Sequence, residues 1–166
     1  MKDFSSIKFD QVKLLALDVD GVLTDGGLYY TEEGQELKKF NVKDGLGLQR
    51  LLKQGVKVAI ISSNSSRATL HRAQKLGIFH VFIGCKDKLP VLQKLCHTLQ
   101  FKLGEVAYVG DDLTDLPILK AVGFPMTVAD AMAENRDCAV YVTEKKGGEG
   151  AVREICDLIL SNRLLN

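Results

Sequence analysis

Residues 14–27 read LLALDVDGVLTDGG. A short apolar run ends in three carboxylates, Asp18, Asp20 and Asp25, within eight residues of one another. Carboxylates crowded at a strand end repel one another and cost free energy unless positive charge sits among them. The remaining sequence has to supply that charge, or the cluster is an accident of composition.

Outward from this stretch, β-rich apolar runs alternate with helical patterns. The runs are KLLAL (13–17), VKVAII (56–61), VFI (81–83), VAYV (106–109), FPMTV (124–128) and AVYV (139–142). Helices are expected over 44–54, ending at Gly55, over 65–76 behind Asn64 and up to Gly77, and over 87–99, where leucines recur near helical spacing. Two more are expected over 114–121, with Pro117 tolerated in the first turn, and over 150–160. Such alternation predicts an α/β fold, a Rossmann-like three-layer sandwich around a central parallel sheet. One segment departs from it: GLYYTEEGQELKKFN (27–41) reads as a β-hairpin around a Glu-Glu-Gly turn, inserted after the first strand. No repeat, low-complexity stretch or linker divides the chain, so one domain over 1–166 is expected.

Composition narrows the classes. The 166 residues are enough to bury a core, and 46% hydrophobic with 26% charged residues is ordinary for a globular protein. Net charge is +1 and the basic residues are scattered, which argues against a nucleic-acid or polybasic membrane surface. No apolar stretch approaches the ~20 residues of a membrane span. The N-terminal MKDFSSIKFDQ lacks the apolar region of a signal peptide. Cys85, Cys96, Cys138 and Cys156 form no C-x-x-C pair, and His71, His80 and His97 lack metal-ligand spacing. Four reduced thiols in a cytoplasmic protein are expected.

In open α/β sheets the ligand site lies outside the carboxyl ends of the strands. Here four strand ends are followed by polar residues: DVDG, SSNS, CKDK and GDD. D-x-D-G alone suits a turn, and as a calcium loop it fails, because Val22, Leu23 and Tyr29 occupy the fifth, sixth and closing positions. In GDDLTD, Asp111 or Asp112 is equally suited to cap a helix. Two acidic clusters on different parallel strands, however, call for a cation, and Mg²⁺ suits carboxylate and carbonyl ligands. Lys88 and Ser62 add an ammonium and a hydroxyl, the donors a bound phosphate needs.

Together these residues resemble the haloacid dehalogenase superfamily of phosphohydrolases, whose four motifs occur in order as DVDGVLTDG, Ser62, Lys88 and GDDLTD. Finer matches are similar to its 3-deoxy-D-manno-octulosonate 8-phosphate (KDO 8-P) phosphatase family: TDG before the hairpin, FNVKDG (40–45), VAYVGDD (106–112), VADA (128–131) and GGEGAVRE (147–154). The resemblance implies a Mg²⁺-dependent phosphatase acting on the phosphate of an eight- or nine-carbon sugar acid in lipopolysaccharide biosynthesis. It implies Asp18 as nucleophile through an aspartyl-phosphate, and Asp20 as acid and then base, its pKa raised by neighbouring carboxylates. Metal ligands would be Asp18, the Asp20 backbone carbonyl and Asp111, with Asp112 orienting them and Ser62 and Lys88 on the transferring oxygens. Substrate contacts would come from Asn41, Val42, Lys43, Asp44, Gly45, Gln49, Asn64, Arg72 and Lys88. Residues 63–87 hold only a helix and a strand, so no cap domain fits. The family suggests instead a homotetramer in which hairpins pack together and the 147–154 tail closes a neighbour's site.

Two positions depart from the family pattern. Its T-G-R is here Ser62-Ser63-Asn64, and an expected basic contact is Gln49. Both suit a neutral, hydrogen-bonding substrate group, such as the acylamino arm of a nine-carbon sugar acid. Another small phosphate monoester is a further alternative. A non-catalytic sugar-phosphate-binding protein is the alternative of another class, against which the complete catalytic set speaks.

Overall fold

The computed structural model describes residues 7–164; the first six residues of the segment read for a signal peptide lie outside them. In chain order the elements are β1 (Leu14–Leu17), β2 (Tyr29–Tyr30), β3 (Glu36–Leu37), α1 (Val42–Lys53), β4 (Lys57–Ile61), α2 (Arg67–Leu76) and β5 (His80–Phe82). They continue as α3 (Lys88–Leu99), β6 (Val106–Val109), α4 (Leu116–Leu119), β7 (Phe124–Thr127), α5 (Ala133–Cys138), β8 (Tyr141–Val142) and α6 (Ala151–Leu164). Six strands form one parallel sheet in the order β5-β4-β1-β6-β7-β8, and β2 and β3 form a separate antiparallel pair.

The period-2 geometry of β1 splits the core. Leu15 and Leu17 face one side, against Leu48 and Leu51 of α1 and Val152, Ile155 and Ile159 of α6. Leu14 and Ala16 face the other, against Leu92 and Leu95 of α3 and Ile118 and Leu119 of α4. Burial on both faces is why these runs are continuous rather than alternating in hydrophobicity.

After β1 the chain moves out to β4 and β5, then returns to place β6 on the other side of β1. The strand order therefore reverses between β1 and β6, where open α/β sheets bind ligands. Leu17 pairs with Val109, so the residues following both strands emerge side by side.

The expected hairpin is present but short, and other elements are shifted or shorter than expected. The hairpin carries only two cross-strand pairs, Tyr29–Leu37 and Tyr30–Glu36. The helix expected from residue 65 starts at Arg67 with Ser66 as its N-cap. The helix expected over 114–121 is a 3₁₀ turn, Leu113–Asp115, leading into α4. Helix α5, AENRDC, escapes sequence reading because it lacks apolar periodicity; the buried Asn135 anchors it by donating to the Asp112 carbonyl at 2.8 Å.

The tail makes contacts within its own chain. Residues 147–150 lie on the chain's own 21–25 turn, where Gly148 N donates to Val22 O at 3.0 Å. A Cβ on Gly147 would collide with the Gly21 carbonyl. The following α6 belongs to the chain's own core, with Val152, Ile155 and Ile159 fully buried.

Candidate active site

Asp18 continues the ladder beyond β1, donating its N–H to Val109 O at 2.9 Å, and its side chain turns inward. Its Oδ1 accepts from Val19 N at 2.7 Å, and its Oδ2 lies 2.8 Å from Lys88 Nζ. Lys88 opens α3 with its side chain only 2% exposed, and its Nζ also donates to Asp115 Oδ1 at 2.7 Å. Asp115 is fully buried and its four hydrogen bonds occupy both oxygens. Lys88 and the Tyr108 hydroxyl (2.7 Å) use Oδ1, while the N–H groups of Asp111 (3.1 Å) and Asp112 (3.3 Å) use Oδ2.

Asp18, Asp111 and Asp115 each bring a carboxylate oxygen within 4.8 Å of the others. One ammonium offsets only part of that charge. Burial, then the Asp18, Asp115 and Asp112 carboxylates, push Asp111 up to about 7. Burial, then Asp115, raise Asp18 to about 6 against the pull of Lys88 and the Val19 N–H. Burial opposes the charge of Lys88, but Asp18 and Asp115 outweigh it and hold its pKa above the usual value.

Asp111 Oδ1 is buried without a hydrogen-bond partner among the described residues. Gly21, at φ +80°, leaves the space this carboxylate fills, since a Cβ there would collide with it. Asp111 and Asp18 thus form an oxygen donor set with an uncommitted atom and unbalanced negative charge, which fits a hard divalent cation. Asp115, with both oxygens committed, fits a positioning role instead.

Above these groups opens a cavity of about 340 Å³, lined by Asp18, Asp20, Gly21, Ser62, Asn64, Asp111, Asp112 and Thr114 among others. Ser62, at the end of β4, is buried, and its Oγ accepts from Asn64 N at 3.2 Å. Asp112 caps the 3₁₀ turn at the rim, accepting from Leu113 N at 2.7 Å.

Asp20 lines the same cavity, but its charged neighbour is not the carboxylate cluster expected. Lys38 Nζ of the segment after β3 lies 2.5 Å from its Oδ1. Asp25, the third acid of the opening stretch, points away to Lys39 and the Gly27 N–H.

Of the expected substrate contacts, Asn41, Asp44, Gly45 and Arg72 gather around the start of α1, beside the cavity rather than in its lining. Asn41 caps α1, accepting from Lys43 N at 2.8 Å and donating to Gly148 O at 3.1 Å, so it anchors the 147–150 segment. Val42 and Lys43 are exposed, while Asp44 is buried and accepts from Arg153 N at 2.8 Å, at the start of α6. Arg72 donates to Asn41 O at 3.0 Å and packs over Gly45 and the Phe40 ring. Gln49 lies in a separate cleft with Leu52, Lys53, Leu76 and Gly77. The physical reason is direction: α1 runs away from the strand ends at about 1.5 Å per residue, so its later residues leave the site. Asn64 stays at the cavity, but its amide nitrogen donates to Glu36 Oε2 at 3.3 Å and its oxygen accepts from Ser66 N at 2.8 Å.

Sequence reasoning missed Asp115, Tyr108 and Lys38. The signal for Asp115 was present as the last residue of GDDLTD, four positions beyond Asp111. Nothing local marks Tyr108 or Lys38.

A parallel sheet with acidic clusters at its switch point and a buried lysine between them defines a class. A family profile described as haloacid dehalogenase-like hydrolase matches residues 41–123, which include Ser62, Lys88 and Asp111. The 3-deoxy-D-manno-octulosonate 8-phosphate phosphatase of Yersinia pestis is 48% identical over 149 residues, 90% of this chain and 80% of that protein. The corresponding phosphatase of Moraxella catarrhalis, solved with magnesium ion, phosphate ion and KDO, superimposes with a TM-score of 0.92 at 45% identity, covering 95% of this chain and 90% of that one. The cobalt-bound form of the Haemophilus influenzae phosphatase gives 0.90 at 37% identity, covering 94% and 91%. The chain belongs to the 3-deoxy-D-manno-octulosonate 8-phosphate phosphatase family of haloacid dehalogenase-like hydrolases. It is a phosphoric monoester hydrolase.

Proposed function

We propose that the protein is a magnesium-dependent phosphatase that hydrolyses 3-deoxy-D-manno-octulosonate 8-phosphate. The observation that carries this reading is the buried Asp18–Lys88 pair beside the unpartnered oxygen of Asp111 at the base of an open polar cavity. The names of the relatives support the substrate, and the Moraxella structure holds a metal and the two products such a reaction would leave.

In this reading the Asp18 carboxylate attacks phosphorus. A bond to Asp18 forms, the bond to the sugar oxygen breaks, and one difficult displacement becomes two easier ones through an aspartyl-phosphate. Asp20 gives a proton to the departing sugar oxygen and then takes one from the water that hydrolyses the intermediate. The Ser62 hydroxyl and the Lys88 ammonium donate to the transferring oxygens, where charge accumulates. Asp18, the Asp20 backbone carbonyl and Asp111 would hold Mg²⁺, which supplies positive charge against nucleophile and phosphate. Asp115 and Tyr108 keep Lys88 aimed at Asp18.

The nine-carbon alternative rested on Asn64 and Gln49. Gln49 lines a cleft other than the cavity and both polar atoms of Asn64 have partners in the chain, and the names of the relatives favour the eight-carbon acid as first substrate. The homotetramer draws support from Leu28, Tyr29, Tyr30 and Leu37, all exposed on the hairpin, with Tyr29 and Leu37 paired on one of its faces.

Phosphate release from eight- and nine-carbon sugar-acid phosphates, with Mg²⁺ and with chelator, tests the reading. Preferred turnover of the eight-carbon compound, dependent on metal and absent in Asp18→Asn, is expected. Undiminished phosphate release by a folded Asp18→Asn variant would exclude the aspartyl-phosphate route.

A further inference from the structure

Lys38 carries the inference. Its side chain is 2% exposed although it follows a hairpin of only two residue pairs, too small to be stable by itself. An ammonium buried that far needs compensating charge. It finds two carboxylates, Asp20 Oδ1 at 2.5 Å and Glu36 Oε1 at 3.1 Å. The other oxygen of Glu36 accepts from the Asn64 amide at 3.3 Å, and Asn64 is fixed in turn by the Ser66 N–H. A continuous run of contacts therefore passes from the turn after β4, through the foot of the hairpin, to Asp20. Lys38 does not line the cavity, whereas Asp20 does. Asp20 is only partly buried, so packing alone does not choose its rotamer.

We infer that Lys38 is a positioning residue: held by Glu36, which compensates the ammonium when Asp20 carries a proton, it fixes Asp20 through Oδ1 so that the other oxygen presents that proton to the leaving sugar oxygen. This rests on Asp20 being the acid of the proposed reaction, and it assigns the hairpin a role within its own subunit. A misplacement of about 1 Å at a reacting group can cost on the order of a hundredfold in rate. The effect is selective. A sugar alkoxide needs a proton as it leaves, whereas p-nitrophenolate leaves without one.

The experiment compares kcat/KM, which reports only steps through the first phosphoryl transfer, for the sugar-acid 8-phosphate and for p-nitrophenyl phosphate. Lys38→Met is expected to lower the first roughly 30- to 100-fold and the second less than about threefold. Lys38→Arg should recover most of the loss, because it restores the cation. If Lys38→Met does not fold, Glu36→Gln carries the same comparison with the same asymmetry expected. Equal losses on both substrates, or no loss on either, would overturn the inference and leave Lys38 a structural ion pair. Asp20→Asn separates the two levels. If it shows the asymmetry and the Lys38 and Glu36 variants do not, only the positioning role fails. If Asp20→Asn shows none, the assignment of Asp20 as acid fails, and the inference with it.

Discussion

Asp111 and Asp18 place stability and activity in opposition. Folding moves both carboxyls to pKa values of about 7 and about 6, above their ordinary 3.8. For an acid raised in this way, the stabilising contribution is full below the unfolded pKa and is lost as pH rises through the folded value. The metal-free protein should thus lose stability between about pH 4 and 7 through these groups. Asp111→Asn removes one of them. At pH 8 in chelator it should be more stable than the native protein by roughly 1–3 kcal/mol after discounting for screening, with little difference at pH 4. Thermal unfolding at both pH values checks this, and added Mg²⁺ should reverse the order by stabilising only the native protein. Lys88→Met has the opposite sign. It leaves Asp18 and Asp115 buried without their cation, and breaking such a pair costs about 3–5 kcal/mol. Denaturant unfolding in chelator reads that loss.

Among the elements, α6 and the 147–150 segment are parts of the enzyme's own scaffold. A chain ending at Lys146 would lose the buried Val152, Ile155 and Ile159 and expose the face of α1 they cover. Each large-to-small core deletion already costs about 2–5 kcal/mol, so the truncated chain should be unfolded, as circular dichroism would show. Retention of the fold with loss of substrate affinity alone would point instead to a tail acting in trans. Gly147→Ala is the finer probe. Its Cβ meets the Gly21 backbone, so the segment has to lift from the turn that carries Asp20 and Gly21. An overpacking cost of about 1–3 kcal/mol and reduced kcat are expected, from thermal unfolding and steady-state kinetics.

For the molecule as a whole, the exposed apolar side chains of the hairpin offer a surface for self-association. Leu28 and Tyr30 are 62% and 61% exposed in the single chain, and Leu37 pairs with Tyr29 on the same small sheet. Leu37→Glu places a charge beside Tyr29 on that face while the Lys38 side chain itself is unchanged. Light scattering should give four chains for the native protein and a smaller species for the variant. A native protein that scatters as a single, fully active chain would remove the homotetramer from the proposal.

The sequence by itself determined the sheet, the two acidic turns and the lysine between them. Each is a local pattern: apolar runs of three to six residues, glycines and aspartates directly behind two of them, and Lys88 at a helix start. Those signals survive folding because strand and turn preferences act over a few neighbouring residues. What only the tertiary structure decided are pairings across the chain. Lys38 meets Asp20 at a separation of 18 residues, Asp115 meets Lys88 at 27, and Asn41 meets Gly148 at 107. Helix direction left Gln49 and Arg72 out of the cavity lining, since helices that start near the strand ends carry their later residues away from them. A carboxylate's partner depends on which side chain the fold brings within about 3 Å, and no local pattern holds that information.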